Sequence, residues 1–134
     1  MPLALPLPSQ HGGLDGTAVD VGILMEGFGR GLLLEPYLST VVLCGRLIAA
    51  AGTPAQQARW LPAIAGGQSR LAFAHGEDGS HGDVASIRMQ ARPAAAGWVL
   101  EGRKTLVLDA PGASHFIVSA QTGDGRAPMR LFLL

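Results

Sequence analysis

Between Leu71 and Arg92 the chain reads LAFAHGEDGSHGDVASIRMQAR, and its polar middle gathers His75, Glu77, Asp78, His81 and Asp83, with Gly76, Gly79 and Gly82 among them. Imidazoles and carboxylates together can ligate a metal. These lie on one loop, match no zinc spacing and lack the denser acids of a hard-cation loop, so they read as a solvated polar turn. The glycines suit a different chemistry. With no Cβ and easy access to positive φ, they can bring backbone N–H groups against an anionic or planar ligand. Hydrolysis has less support, because no nucleophile-elbow pattern surrounds Ser69, Ser80, Ser86 or Ser114. Gly27-Phe28-Gly29-Arg30-Gly31 contains a Gly-x-Gly pattern, but it closes a helix and does not open one after a strand, which argues against a dinucleotide fingerprint. Lone His11 and His115 read as loop residues, and Glu26 as an exposed or capping carboxylate.

The elements that would carry this loop divide the chain. Residues 1–16 read as an extended lead with Pro2, Pro6 and Pro8 denying helix. Thr17 with Asp20 three residues on suits a helix start, and Ala18, Val21, Met25 and Phe28 then share a face until Gly29 and Gly31. A second helix is expected from Pro36 to Gly52 on Tyr37, Val41, Cys44 or Gly45, and Ile48. Thr53-Pro54-Ala55-Gln56 is a capping box for a third, which Pro62 should break or kink before Gly66-Gly67. From Ser69 the period becomes two. Leu71–Ala74 precedes the loop, and beyond it Ile87, Met89 and Ala91 face one way while Arg88, Gln90 and Arg92 face the other. Pro93 to Gly97 reads as a loop, Trp98–Leu100 and Thr105–Leu108 as strands about a tight Glu101-Gly102 turn, and Phe116–Ala120 and Met129–Leu134 as further strands about Thr122-Gly123-Asp124-Gly125. The expected fold is α+β, a short helical segment followed by an antiparallel β-barrel or sandwich-like domain. Because the last apolar run, Leu131 to Leu134, reaches the chain end uncovered, a continuation or a partner is expected over it.

Composition narrows the partners. With 134 residues the chain can build one domain-sized core. Ten basic and ten acidic side chains cancel, which argues against nucleic acid or an anionic membrane surface. The apolar opening MPLALPLPSQ is interrupted by prolines and lacks a basic lead, so it reads as neither signal peptide nor membrane span. A single Cys44, set in VVLCGRL, fits a buried small hydrophobe and a reducing compartment.

Three blocks, PSQHGGLDGTAVDVGILMEGFGRGLLLEPYL, AAAGTPAQQARWLPAIAGGQSRLAFAHGEDG and GWVLEGRKTLVLDAPGASHFIVSAQT, resemble in sequence and order the flavin-dependent acyl-CoA dehydrogenases. The resemblance implies a partial N-terminal helical domain over residues 1–67 and the family's middle β-domain over 68–134, with no counterpart of its C-terminal four-helix domain. It implies FAD as cofactor and α,β-dehydrogenation of an acyl-CoA thioester. In the family a carboxylate, usually from the C-terminal domain, removes the α-proton while the β-hydrogen leaves as hydride to the flavin. No residue here takes that catalytic role, so this chain alone is expected to be inactive.

Carried over position by position, the first flavin strand places Phe73 at the aromatic position and His75 and Gly76 before Glu77, so that Gly76 stands where the family's Thr-Glu-Pro has its threonine and Asp78 replaces the proline. His81-Gly82-Asp83 then stands where the family has Gly-Ser-Asp. In the second, Leu106 and Leu108 replace an aromatic residue and a threonine that lie against the flavin ring, with Val107 between them. Leucine packs on a ring but donates no hydrogen bond. Two β-segments bracketing Gly102 are thus expected to form a shallow platform of main-chain donors and apolar groups. The resemblance further implies a cytoplasmic homo- or hetero-oligomer of dehydrogenase subunits with a flavoprotein electron acceptor. A degenerate, non-catalytic subunit of a heteromeric dehydrogenase is the alternative, and a β-domain binding module without redox chemistry is a third reading. Arg88 and Arg92 read as a solvated strand face, though the resemblance allows one of them to approach a CoA phosphate.

Overall fold

A computed structural model describes residues 4–80, 82–123 and 129–134. Helix α1 spans Ala18–Arg30, and its start is the expected reciprocal cap. The Asp20 N–H donates to Thr17 Oγ1 at 3.3 Å, and the Thr17 N–H donates to the Asp20 carboxylate at 2.8 Å. A π-helical stretch, Leu38–Gly45, then runs directly into α2, Arg46–Ala51. Helix α3, Pro54–Ala65, opens on the Thr53/Gln56 capping box. Pro62 does not break it. Lying in the last turn, it gives up one amide bond while its own carbonyl still accepts from Gly66 N–H at 2.9 Å. The proline-rich lead is also more compact than expected: Ser9–His11 forms a 3₁₀ turn and Leu7 is wholly buried.

Strands β1 (Leu71–Ala74), β2 (Gln90–Ala94), β3 (Gly97–Glu101), β4 (His115–Thr122) and β5 (Arg130–Leu133) form one sheet in which β4 is central. The α+β class holds, but the sheet is mixed and not antiparallel throughout. β1 and β2 both pair parallel to β4, while β3 pairs antiparallel to β2 and β5 antiparallel to β4. Amides alternate in direction along β4. Phe116 N–H donates to Leu134 O on the β5 side, and Gln121 N–H donates to Met89 O on the other. β1 and β2 therefore follow one another along the same edge.

Three strand expectations change. Pro93 and Ala94 belong to β2 and Gly97 to β3, so the hairpin turn is only Ala95-Ala96. His115 opens β4 instead of lying in a loop, and its ring meets Trp60 edge-on at 4.5 Å. Thr105–Leu108 is not a strand, because Leu106 has φ +53 and Asp109 φ +59, which breaks the alternation a ladder needs. After β3, Gly102 takes φ +149 where an added Cβ would lie 3.0 Å from Met89 Cα, so the chain bends away without a hairpin. Of the turn expected before β5, Asp124 and Gly125 lie outside the described residues.

The sheet has two apolar faces. Leu71 and Ile117 join Val21, Tyr37, Val41, Cys44, Ile48, Trp60, Leu61 and Ile64 in the helical core. Ala74, Val118 and Ala120 turn the other way, to Met89 and Ala91, with Leu100, Val107, Phe116 and Phe132 packed around them. The period-two pattern of Ile87, Met89 and Ala91 appears as buried positions alternating with more exposed Arg88, Gln90 and Arg92.

Candidate functional site

Leaving β1, the chain crosses the sheet end at His75–Gly76 and meets the segment that follows Gly102. Thr105 N–H donates to Gly76 O at 2.8 Å, and an added Cβ on Gly76 would lie 2.9 Å from Thr105 O. The glycine is thus required by close approach of two backbones. That hydrogen bond sets Gly76 of the first predicted region beside Thr105 at the start of the second.

Lys104 holds that junction. Its ammonium donates to His75 O at 3.1 Å, Glu77 Oε1 at 2.7 Å and Ser119 Oγ at 3.0 Å, which uses all three N–H groups. Ser119 Oγ, which accepts from Lys104, also lies 3.0 Å from His75 Nδ1. His75 Nε2 is buried with no hydrogen-bond partner among the described residues, as is Gln121 Oε1. Phe73 stacks on the His75 ring with centroids 5.1 Å apart.

Glu77, expected in a solvated turn, is instead buried. Its carboxylate accepts Arg88 N–H at 2.8 Å and Met89 N–H at 3.0 Å besides the Lys104 bond. Burial pushes its pKa up, but the Lys104 hydrogen bond, the two amides and the Lys104 charge outweigh it and hold the carboxyl below its usual value. Arg88 reaches the Asp78 carbonyl, and Arg92 pairs across the hairpin with Glu101 at 2.8 Å on the solvated face. Glu26 likewise pairs with Arg30 at 2.6 Å on exposed helix surface.

The predicted wall residues do not all share a surface. Phe73 packs against the helical core, whereas Val107 packs on the opposite sheet face. Leu106 is fully exposed and Leu108 is 49% exposed. Gly82 has φ +82 with open space where a Cβ would be. His81 lies outside the described residues. Lys104 and Ser119 escaped the reading of the sequence. A lysine two residues past Gly102, beside a strand-like run, was the available signal, but its partners lie 27 and 15 residues away.

Residues 2–68 match the family model described as acyl-CoA dehydrogenase, N-terminal domain. The chain is similar to acyl-CoA dehydrogenase FadE12 of Mycobacterium tuberculosis, with 28% identity over 127 residues, 92% of this chain and 32% of that protein. It is also similar to mitochondrial isovaleryl-CoA dehydrogenase of Oryza sativa, with 30% identity over 120 residues, 88% of this chain and 29% of that protein. Among solved structures, a variant of the Tcur3481-Tcur3483 steroid ACAD superposes with TM-score 0.84 at 36% identity, over 99% of this chain and 35% of that one. An acyl-CoA dehydrogenase complexed with FAD from Bacillus anthracis gives TM-score 0.85 at 28% identity, over 99% and 23%. The chain therefore spans about a third of the length of the curated relatives it matches.

Proposed function

Because this chain belongs to the acyl-CoA dehydrogenase family, we propose that it supplies the cofactor-facing wall of an FAD-dependent oxidoreductase acting on an acyl-CoA thioester. Residues 1–67 are then part of the N-terminal helical domain and 68–134 the middle β-domain. The matched family model ends at residue 68, three residues before β1, which supports that boundary.

The observation that carries this reading is the junction of Gly76 with Thr105. It brings the two segments that face a flavin in this family side by side and leaves Leu106 projecting from them, wholly uncovered. The residues present fit the flat face of a flavin. Exposed Leu106 and Leu108 offer apolar contact, and a Cβ added on Gly82 would meet only open space. Side-chain donors for the ring edge are missing at Gly76 and Leu108, so contact there falls to the main chain. When bound, FAD would accept the β-hydrogen of the acyl group as hydride. This chain's own part is to hold the platform: Val107 anchors it in the sheet core, and Lys104 fixes both of its segments to Ser119 of β4. No residue of this chain is assigned as the base for the α-proton. A carboxylate from the family's C-terminal helical domain is the expected source. An oligomer of dehydrogenase subunits, a flavoprotein electron acceptor and a cytoplasmic setting belong to the same proposal. Among the described residues no helix is long and apolar enough to cross a membrane.

The visible spectrum of the purified full-length protein tests this. Flavin bands that bleach on adding acyl-CoA are expected, and a colourless protein unchanged by FAD and acyl-CoA would count against it. A second reading is a non-catalytic subunit of a heteromeric dehydrogenase. It draws on Gly76, His81, Gly82 and Leu108 standing where the family has donors or its usual loop residues, and on the 36%-identical structure being named for two components. Stoichiometric FAD binding with turnover by this protein alone would reject it.

A further inference from the structure

A side-chain hydrogen bond joins the corner that carries the exposed leucines to the helical segment. Ser39, fully buried in the π-helical stretch, donates from Oγ to Asp109 Oδ2 at 2.5 Å across 70 residues of sequence. Its neighbour Thr40 makes the matching link to β1: Thr40 Oγ1 donates to Leu71 O at 2.9 Å and accepts from Leu71 N–H at 3.1 Å. Two consecutive hydroxyls thus fasten the same helical turn to the start of the sheet and to the Leu106–Asp109 corner. The corner needs such a hold. Leu106 (φ +53) and Asp109 (φ +59) both occupy the left-handed region, which is unfavourable for leucine, and Leu106 makes no burial gain in return. Aspartate tolerates that conformation, and its charge strengthens the bond it accepts. Ser39 Oγ also lies 3.2 Å from Pro36 O, a longer contact with a neutral acceptor. The carboxylate is therefore the preferred partner for its single hydrogen.

We propose that Ser39 is a positioning residue for the cofactor wall: through Asp109 it holds the 106–109 corner in the conformation that presents Leu106 and Leu108, coupling the helical segment to the platform. The role in cofactor binding rests on the function proposed above. The hold on the corner does not.

The test uses the full chain with Ser39→Ala and Asp109→Asn, measured by hydrogen–deuterium exchange over residues 105–113 and by FAD titration followed by flavin fluorescence. The asparagine keeps both an acceptor and tolerance of the left-handed backbone, so it should behave close to the parent protein. Ser39→Ala should speed exchange at the corner about tenfold, leave β4 (residues 115–122) unchanged, and weaken FAD about tenfold. A purely structural role would instead lower the melting temperature and speed exchange across β4 as well. Parent-like exchange in Ser39→Ala would overturn the proposal. So would faster exchange at the corner with FAD affinity unchanged, which would mean that the corner does not position the cofactor. If the parent protein binds no FAD, the coupling to cofactor falls together with the proposed function, while exchange still decides whether Ser39 holds the corner.

Discussion

Lys104 Nζ lies 2.7 Å from Glu77 Oε1 with only 6% and 5% of the two side chains exposed. This ion pair closes the junction between the loop after β1 and the segment after β3. Each partner has further hydrogen bonds, so neither charge is buried uncompensated. The arrangement makes the pair costly to break from one side only.

Lys104→Met should therefore destabilise the protein by about 3–5 kcal/mol, because it leaves the Glu77 charge buried and removes the bonds to His75 O and Ser119. Urea denaturation of parent and variant checks this. A loss below about 1 kcal/mol would show that the junction is open to water in solution.

The depressed Glu77 carboxyl also sets an acid limit. Its folded pKa lies below the ordinary value of 4.5, so its contribution to stability is fully present above that pH and is lost as pH falls through the folded value. Unfolding free energy measured from pH 7 downward should drop in the acid range. Glu77→Gln should flatten that limb, and an identical acid limb in the variant would assign the drop to other carboxylates.

Restoring the family's threonine at position 76 should fail. An added Cβ would lie 2.9 Å from Thr105 O, a backbone atom held by its own chain, so Gly76→Thr must part the two segments. A cost of about 1–3 kcal/mol is expected in thermal or chemical unfolding, with no gain in FAD affinity. Tighter flavin binding by this variant would show that the junction opens without penalty.

Leu106 separates stability from binding. Leu106→Asn places a residue that accepts the left-handed region at a fully exposed site, so stability should be unchanged or rise by up to about 1 kcal/mol. Removing the apolar contact should weaken FAD about tenfold or more. Paired melting and flavin titration read both effects. Unchanged affinity would remove Leu106 from the wall.

Cys44 should be chemically silent. It is fully buried, and burial pushes its thiol up to about 12, so almost no thiolate forms near neutral pH. A disulfide reagent should label it only in denaturant. Rapid labelling of the folded protein would show that the helical core opens readily.

How much of this was legible follows the range of the interactions. The caps Thr17/Asp20 and Thr53/Gln56 and the buried faces through Tyr37, Val41, Cys44 and Ile48 formed as the sequence alone implied. Each depends on residues three or four apart, which the chain's own geometry brings together. The alternation of Ile87, Met89 and Ala91 was equally local, as was the family likeness that ordered motifs carried. The tertiary structure decided the rest. β1 and β2 run parallel to β4 because long connections return them to one edge, a choice invisible to a period-two pattern. Thr105–Leu108 has strand composition yet turns through left-handed residues, since Lys104 and Asp109 are drawn to partners far along the chain. The pairs Lys104 with Glu77 and Ser39 with Asp109 leave no periodic trace, because their partners lie 27 and 70 residues apart and meet only once the chain has folded.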